Sequence, residues 1–283
     1  MKSKVAIIDG HNFLFRGFYG VPAQVKRPDG TAINAVYGFF SLLRVIIKKI
    51  DPEYLIIVFD SETSANKKKL EKPEYKANRP AQDNDIFSQL FFIKKCLDIM
   101  GICWVEDDEN EADDIIGTYS AKFNKKGTEV FLCSNDHDFF QLVHEKTFVL
   151  RGFRGEFILY DHSSVVNKFG LKPEQYTDYL SLIGDPTDNV KGINGLGKKR
   201  ASDLLLKYHD IKSIYQSFDL LSPTLKKMLN GQENMILARK KFLEINSNLS
   251  LPKPFNTKKF LFSKEKIPER MGEFLNVHWE KII

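Results

Sequence analysis

The chain has 283 residues, and 42 Lys and Arg against 37 Asp and Glu give it a formal net charge of +5. Its 42% hydrophobic content, with 23 Phe, supplies a substantial core and excludes wholesale disorder. Apolar runs such as the LIIVF of 55 to 59 fall far short of the roughly 18 residues of a membrane span, and the length fits one large domain or two unequal ones.

The opening MKSKVAIIDG meets Asp9 after a brief apolar run, so it reads as a strand and not as a signal peptide. Similar short, β-branched segments recur at 54–60, 102–106 and 129–133, apolar on successive residues as strands covered on both faces are. Between the first two, Val36, Phe39, Phe40, Leu43, Ile46, Ile47 and Ile50 keep helical spacing. Further helices are expected from Asp85 to Met100 and from near Glu111 to Lys126 and Gly127. Strand and helix alternate, which predicts an α/β fold with a mostly parallel central sheet flanked by helices.

Residues 61–80 interrupt this order with six Lys or Arg against three Glu and almost no apolar periodicity, a basic excursion from the sheet. From about Lys172 the pattern turns helical with Gly-rich punctuation, GDPTDN at 184–189 and GINGLGKKRA at 192–201. The tail from Leu251 to Ile283 carries only a weak helical signal at 265–276 and suggests no chemistry. Cys96, Cys103 and Cys133 form no CxxC pair and have no His cluster beside them, so neither a disulfide framework nor a zinc site is supported. They read as buried thiols in a reducing compartment.

Acidic residues mark the predicted strand ends. Asp9 and Asp60 close two strands, and Asp136 and Asp138 follow a third, at the sheet edge where ligands of open α/β sheets bind. Glu111, Asp113 and Asp114 begin a helix within a stretch, 106–121, that holds seven acids and no base. Asp185 and Asp188 flank a Gly/Pro turn. Each has an ordinary use: acids favour a first helical turn, and Asp caps turns. Converging on one edge, however, they would repel one another unless cations offset their charge. Oxygen ligands without Cys or paired His suit Mg²⁺ or Mn²⁺, and two such ions would be placed for displacement at phosphorus.

The basic residues complement them. Lys76 and Arg79 would share a helix face at i, i+3, and Lys67, Lys68 and Lys69 extend that stretch; a solvated charged loop is the alternative. Arg16 lies one short helix after Asp9. In GINGLGKKRA, close-set glycines (Gly192, Gly195, Gly197) let backbone N–H groups approach a phosphate, with Lys198, Lys199 and Arg200 opening the next helix. The spacing is not that of a Walker motif, and a sequence-independent contact to DNA backbone fits better.

These motifs together resemble the 5′ nucleases, the family of the flap endonucleases and of the N-terminal 5′-3′ exonuclease domain of bacterial DNA polymerase I. VAIIDGHNFLFRGF, IIVFDSET, PEYKANRP, ENEADDIIGT, SNDHDFFQL and SLIGDPTDNVKGINGLGKKRA follow in that family's order, strongly from 4 to about 215. The resemblance implies a PIN-like catalytic domain over 1–172, with a helical arch at about 61–95, and a helical DNA-binding region over 173–283 with a helix-hairpin-helix at about 178–207. It assigns the metal site to Asp9, Asp60, Glu111, Asp113, Asp114, Asp136, Asp138, Asp185 and Asp188, and contacts to the scissile phosphate to Lys76, Arg79 and Arg16. It implies two or more Mg²⁺ ions, with Mn²⁺ as a substitute, and K⁺ at the hairpin. The expected partner is DNA with a 5′ flap, nick or branch, including RNA-primed ends, acted on by a cytoplasmic, nucleoid-associated monomer in primer removal and repair. Departures are Asn135 and His137, where polymerase I relatives commonly read GDKD, Arg200 in place of a usual Thr, and Lys67 in place of a frequent Arg.

A noncatalytic structure-specific DNA-binding protein of the same fold is the rival reading, and the full set of acids weighs against it. A haloacid-dehalogenase-like phosphatase would need Asp where His11 stands, and a single-domain RNA nuclease would lack the hairpin. Setting the nine acids aside leaves 42 bases against 28 acids, a net of +14 around one negative focus.

Overall fold

The computed structural model describes residues 2–61, 63, 84–153 and 155–282. Strands β1 (Lys4–Asp9), β2 (Tyr54–Val58), β3 (Trp104–Val105), β4 (Glu129–Cys133), β5 (Thr147–Phe153) and β6 (Glu156–Tyr160) form one sheet in the order β3-β2-β1-β4-β5-β6. Neighbours run parallel except β5 and β6, which form an antiparallel hairpin. The central strand shows why its sequence does not alternate. Val5 and Ile7 enter the core on one face while Ala6 and Ile8 enter the core on the other, all fully buried.

Helices α1 (Gly10–Gly20), α2 (Asn34–Ile50) and α3 (Asn84–Ile99) cover the Ala6 face, and α4 (Ala112–Lys125) covers the opposite one. α1 and α2 touch backbone to backbone: a Cβ on Gly38 would stand 2.5 Å from the Gly17 Cα, so both positions need glycine. Residues 84–95, expected within the arch, are instead the first turns of α3. Ile86 and Ile93 are fully buried there, and the buried Gln89 accepts from the Ala35 N–H and donates to Asn34.

Three other expectations are corrected. The strand expected over 102–106 shortens to two residues, because β3 has only β2 beside it and the chain then turns to bring Ala112 onto Asp60. β5 and β6 were not expected as strands; the hairpin, turning at Gly155 with φ 85°, buries Phe157 but exposes Ile158 and Leu159, so no continuous apolar run marks it. The helix expected at 265–276 lies later, because Pro268 removes a backbone donor inside that span. A 3-10 turn occupies Lys264–Lys266, and helix α11 covers Met271–Ile282.

Helix α5 (His162–Phe169) follows the β5–β6 hairpin, and the second region comprises α6 (Tyr176–Ile183), the two-stranded β7 (Gly184–Asp185) and β8 (Val190–Lys191), α7 (Lys198–Tyr208), α8 (Ile211–Gln216), α9 (Pro223–Leu229) and α10 (Glu233–Leu243). Its apolar residues continue the core on the α4 face of the sheet. The tail then crosses back to the sheet. Leu261 bridges Tyr54, the Phe262 N–H donates to the Glu53 carbonyl, and Phe260 packs against Tyr119 and Phe123. Beyond it, Trp279 of α11 lies between the Arg27 guanidinium, 3.4 Å from its ring, and Phe92 of α3.

Candidate metal centre and nucleic-acid interface

The carboxyl ends of β1, β2 and β4 deliver the first group of acids. Asp9 caps α1: its Oδ1 accepts from the Asn12 N–H at 3.0 Å, and its Oδ2 accepts from the Ser134 hydroxyl at 2.6 Å. The Ser134 oxygen in turn accepts the Asp136 N–H, and Asp136 accepts the Asp138 N–H at 2.9 Å. One hydroxyl therefore couples the end of β1 to the loop after β4. Burial pushes the Asp9 carboxyl up to about 7, the Ser134 and Asn12 bonds oppose that rise, and the charges of Asp60 and Asp136 add to it.

Asp60 is fixed from two sides. Its Oδ1 accepts the Ala112 N–H at 2.8 Å, which brings the start of α4, with the buried Glu111 at its cap and Asp113 and Asp114 in its first turn, to this edge. Its own N–H donates to His11 Nδ1 at 3.1 Å, and the imidazole stands edge-on to Phe59. Burial lowers the basicity of His11. The neutral ring can accept this bond at Nδ1 while its proton sits on Nε2.

The second group is tighter. Asp138 opens the turn after β4, while Asp185 and Asp188 come from the α6–α7 connection, and one carboxylate oxygen of each lies within 4.8 Å of the others. A hydrogen bond from the Thr187 N–H holds Asp185 at its turn. This cluster of oxygens without Cys or His fits a hard divalent cation. Asp114 has a separate engagement: its Oδ1 accepts the Asn246 N–H at 2.8 Å, while Thr118, one turn on, bonds the same segment at Asn246 and Leu249.

Arg16 lies over Gly152 of β5, with its guanidinium carbon 4.8 Å from the Phe157 ring. A Cβ at position 152 would stand 1.9 Å from Arg16 Nη2, so that glycine makes room for the cation. Arg16 Nη1 is buried without a hydrogen-bond partner among the described residues. Asn135 positions Gly152 with two bonds, donating to its carbonyl and accepting its N–H, and its own N–H donates to Asn12. Sequence reasoning noted Asn135 only as a departure and missed the parts of His11, Asn12 and Ser134, since each bonds a residue far along the chain.

At the hairpin, Gly192 serves packing: a Cβ there would stand 2.1 Å from the Ile183 carbonyl. Gly197 is open, and it precedes α7, whose first residues Lys198, Lys199 and Arg200 are exposed. A helix N-terminus with three bases and an open backbone suits a phosphate. Lys67, Lys68, Lys69, Lys76 and Arg79 lie outside the described residues. Among the described residues no helix is long and apolar enough to cross a membrane.

Comparison with known proteins gives one answer. Residues 4–170 match the family described as 5′-3′ exonuclease, N-terminal resolvase-like domain, and residues 171–266 match 5′-3′ exonuclease, C-terminal SAM fold. A 5′-3′ exonuclease of Aquifex aeolicus is 37% identical over 213 residues, covering 75% of this chain and 72% of its own length. The thermostable DNA polymerase I of Thermus thermophilus is 31% identical over 91% of this chain, which spans only 30% of that polymerase. Among solved structures, the T5 D15 protein co-crystallised with metal ions shares the fold at TM-score 0.69 and 21% identity, covering 86% of this chain and 90% of that one. The catalytic core of Rad2 with DNA substrate shares it at TM-score 0.51 and 16% identity, covering 88% and 75%. The two family matches, which together span residues 4–266, place the chain in the 5′-3′ exonuclease family.

Proposed function

We propose that this chain is a Mg²⁺-dependent 5′-3′ exonuclease and 5′-flap endonuclease that hydrolyses DNA phosphodiester bonds by a two-metal mechanism in primer removal and repair. The observation that carries this reading is the meeting of Asp138, Asp185 and Asp188 within 4.8 Å, beside the edge where the charges of Asp60 and Asp136 act on Asp9. Asp9, Asp60, Glu111, Asp113, Asp114, Asp136, Asp138, Asp185 and Asp188 would hold the cations. Bound divalent ions would supply an activated water and stabilise the leaving oxygen.

The protein's own part is positioning and charge. Ser134 and the Asn12 N–H hold the Asp9 carboxylate, the Ala112 N–H holds that of Asp60, and His11 accepts the Asp60 backbone N–H. Arg16, with Lys76 and Arg79, would offset charge on the scissile phosphate. The outward bases of α7 would grip duplex backbone without reading sequence, with K⁺ at the hairpin, so affinity would fall steeply with salt. A monomer engaging flapped, nicked or RNA-primed ends, working in the cytoplasm near the nucleoid, completes the proposal.

The test is cleavage of a 5′-labelled flap duplex by the wild type in Mg²⁺, by the wild type in EDTA, and by Asp185→Asn in Mg²⁺. Cleavage only in the first supports the proposal. Equal cleavage in all three removes the metal from the chemistry, and DNA binding without cleavage in any favours the noncatalytic reading.

A further inference from the structure

We propose that Arg151 and Lys168 form a phosphate-binding subsite beside the carboxylate edge, taking one backbone phosphate of the DNA. This deepens the nuclease reading and rests on it. β5 carries Arg151 and the last turn of α5 carries Lys168, and the two cations lie over one ring, Phe140, at 5.2 and 5.6 Å from its centroid. Lys168 also stands 4.8 Å from the Tyr160 ring, and its Nζ donates to the Tyr160 hydroxyl at 3.3 Å. Aromatic neighbours thus hold both stems in place without neutralising either charge.

The guanidinium is used on one side only. Arg151 Nη2 donates to the Asn135 carbonyl at 2.6 Å and Nε is buried, while Nη1 makes no hydrogen bond to the described residues. Neither cation has a carboxylate within ion-pair distance among the described residues. His137, which lies between Asp136 and Asp138 in the chain, is within electrostatic reach of Arg151, Lys168, Asp136 and Asp185. Those two acids are assigned to cations, so once cations are bound they no longer balance Arg151 and Lys168. The charge left over calls for an anion at the rim of the cleft. In a DNA nuclease that anion is a phosphodiester, which Arg can meet with a directed N–H and Lys with a point charge.

A purely structural role for Arg151, as a staple on the Asn135 loop, makes a different prediction for Lys168, which is exposed and can be changed without disturbing the fold. The experiment measures binding of the full chain to a 5′-flap duplex in Ca²⁺ across a salt series, for the wild type, Lys168→Met, Arg151→Gln and Arg151→Lys. The flap duplex is also prepared with single neutral methylphosphonates at successive positions around the junction. Lys168→Met should weaken binding about fivefold near 0.1 M salt and lower the salt slope by about one. One methylphosphonate position should weaken the wild type similarly and leave Lys168→Met unaffected, and Arg151→Lys should retain more affinity than Arg151→Gln. An unchanged slope for Lys168→Met, with no position where the two changes fail to add, overturns the subsite while leaving an active wild type intact. A wild type that neither binds nor cleaves the flap overturns the parent reading as well.

Discussion

Asp9→Asn should make the metal-free protein more stable while abolishing its proposed chemistry. The Asp9 carboxyl is raised from 3.8 to about 7 by burial, which sets a ceiling of about 4 kcal/mol on the cost of ionising it in the folded state at neutral pH. Asparagine keeps the acceptor for the Asn12 N–H but turns a donor toward Ser134, whose hydroxyl proton loses its present acceptor. That rearrangement costs about 1 kcal/mol, so the expected net gain is about 1–3 kcal/mol. The native carboxyl binds its proton more tightly than the unfolded one, so the wild type's handicap is absent below about 3.8 and complete only above about 7. Urea unfolding in EDTA at pH 8 and at pH 4.5 reads both features, and added Mg²⁺ should favour the wild type alone. A variant less stable than the wild type at pH 8 in EDTA, or one whose advantage grows as pH falls, would refute the account.

Other changes follow from the same geometry. Gly152→Ala should displace the Arg16 guanidinium, because the new Cβ would stand 1.9 Å from its Nη2; single-turnover cleavage should fall at least tenfold, and unchanged cleavage would take Arg16 out of the reaction. His11→Leu leaves the Asp60 N–H without its acceptor and should cost about 1–3 kcal/mol in unfolding free energy and weaken Mn²⁺ binding, while His11→Asn should recover both; equal losses in the two variants would deny the imidazole a positioning role. Trp279→Ala, which removes the ring between Arg27 and Phe92, should cost about 2–4 kcal/mol by chemical denaturation and leave cleavage at low temperature unaltered. Lys76→Ala should slow cleavage far more than it weakens duplex binding, measured on the same flap substrate; the reverse pattern would remove Lys76 from the chemistry.

The strands of the parallel core were legible because β1, β2 and β4 are buried on both faces, which forces unbroken apolar runs with an acid at the end. The hairpin of β5 and β6 was not, because Ile158 and Leu159 face solvent and Gly152 interrupts the run for the sake of Arg16. The nine acids proposed as metal ligands were read from the chain, but which of them meet was not. Asp138, Asp185 and Asp188 meet directly, whereas Asp114 also holds the segment at Asn246. The tail gave no chemical signal, and its described contacts are packing: Phe260 joins the core on one side of the sheet, Leu261 bridges the start of β2, and α11 braces α3 on the other side.

By itself the sequence determined the alternation of strands and helices, the positions of the acids and bases along the chain, and the formal excess of positive charge. These are local properties, set by which residue types follow one another. The tertiary structure decided which atoms meet: the Ser134 hydroxyl that links Asp9 to the Asp136 loop, the imidazole that fixes Asp60, and the ring of Phe140 that gathers Arg151 and Lys168. Those partners are separated by up to 125 positions along the chain. Their meeting depends on strand order and parallel register, which no local pattern records, because both follow from how two buried faces are covered at once.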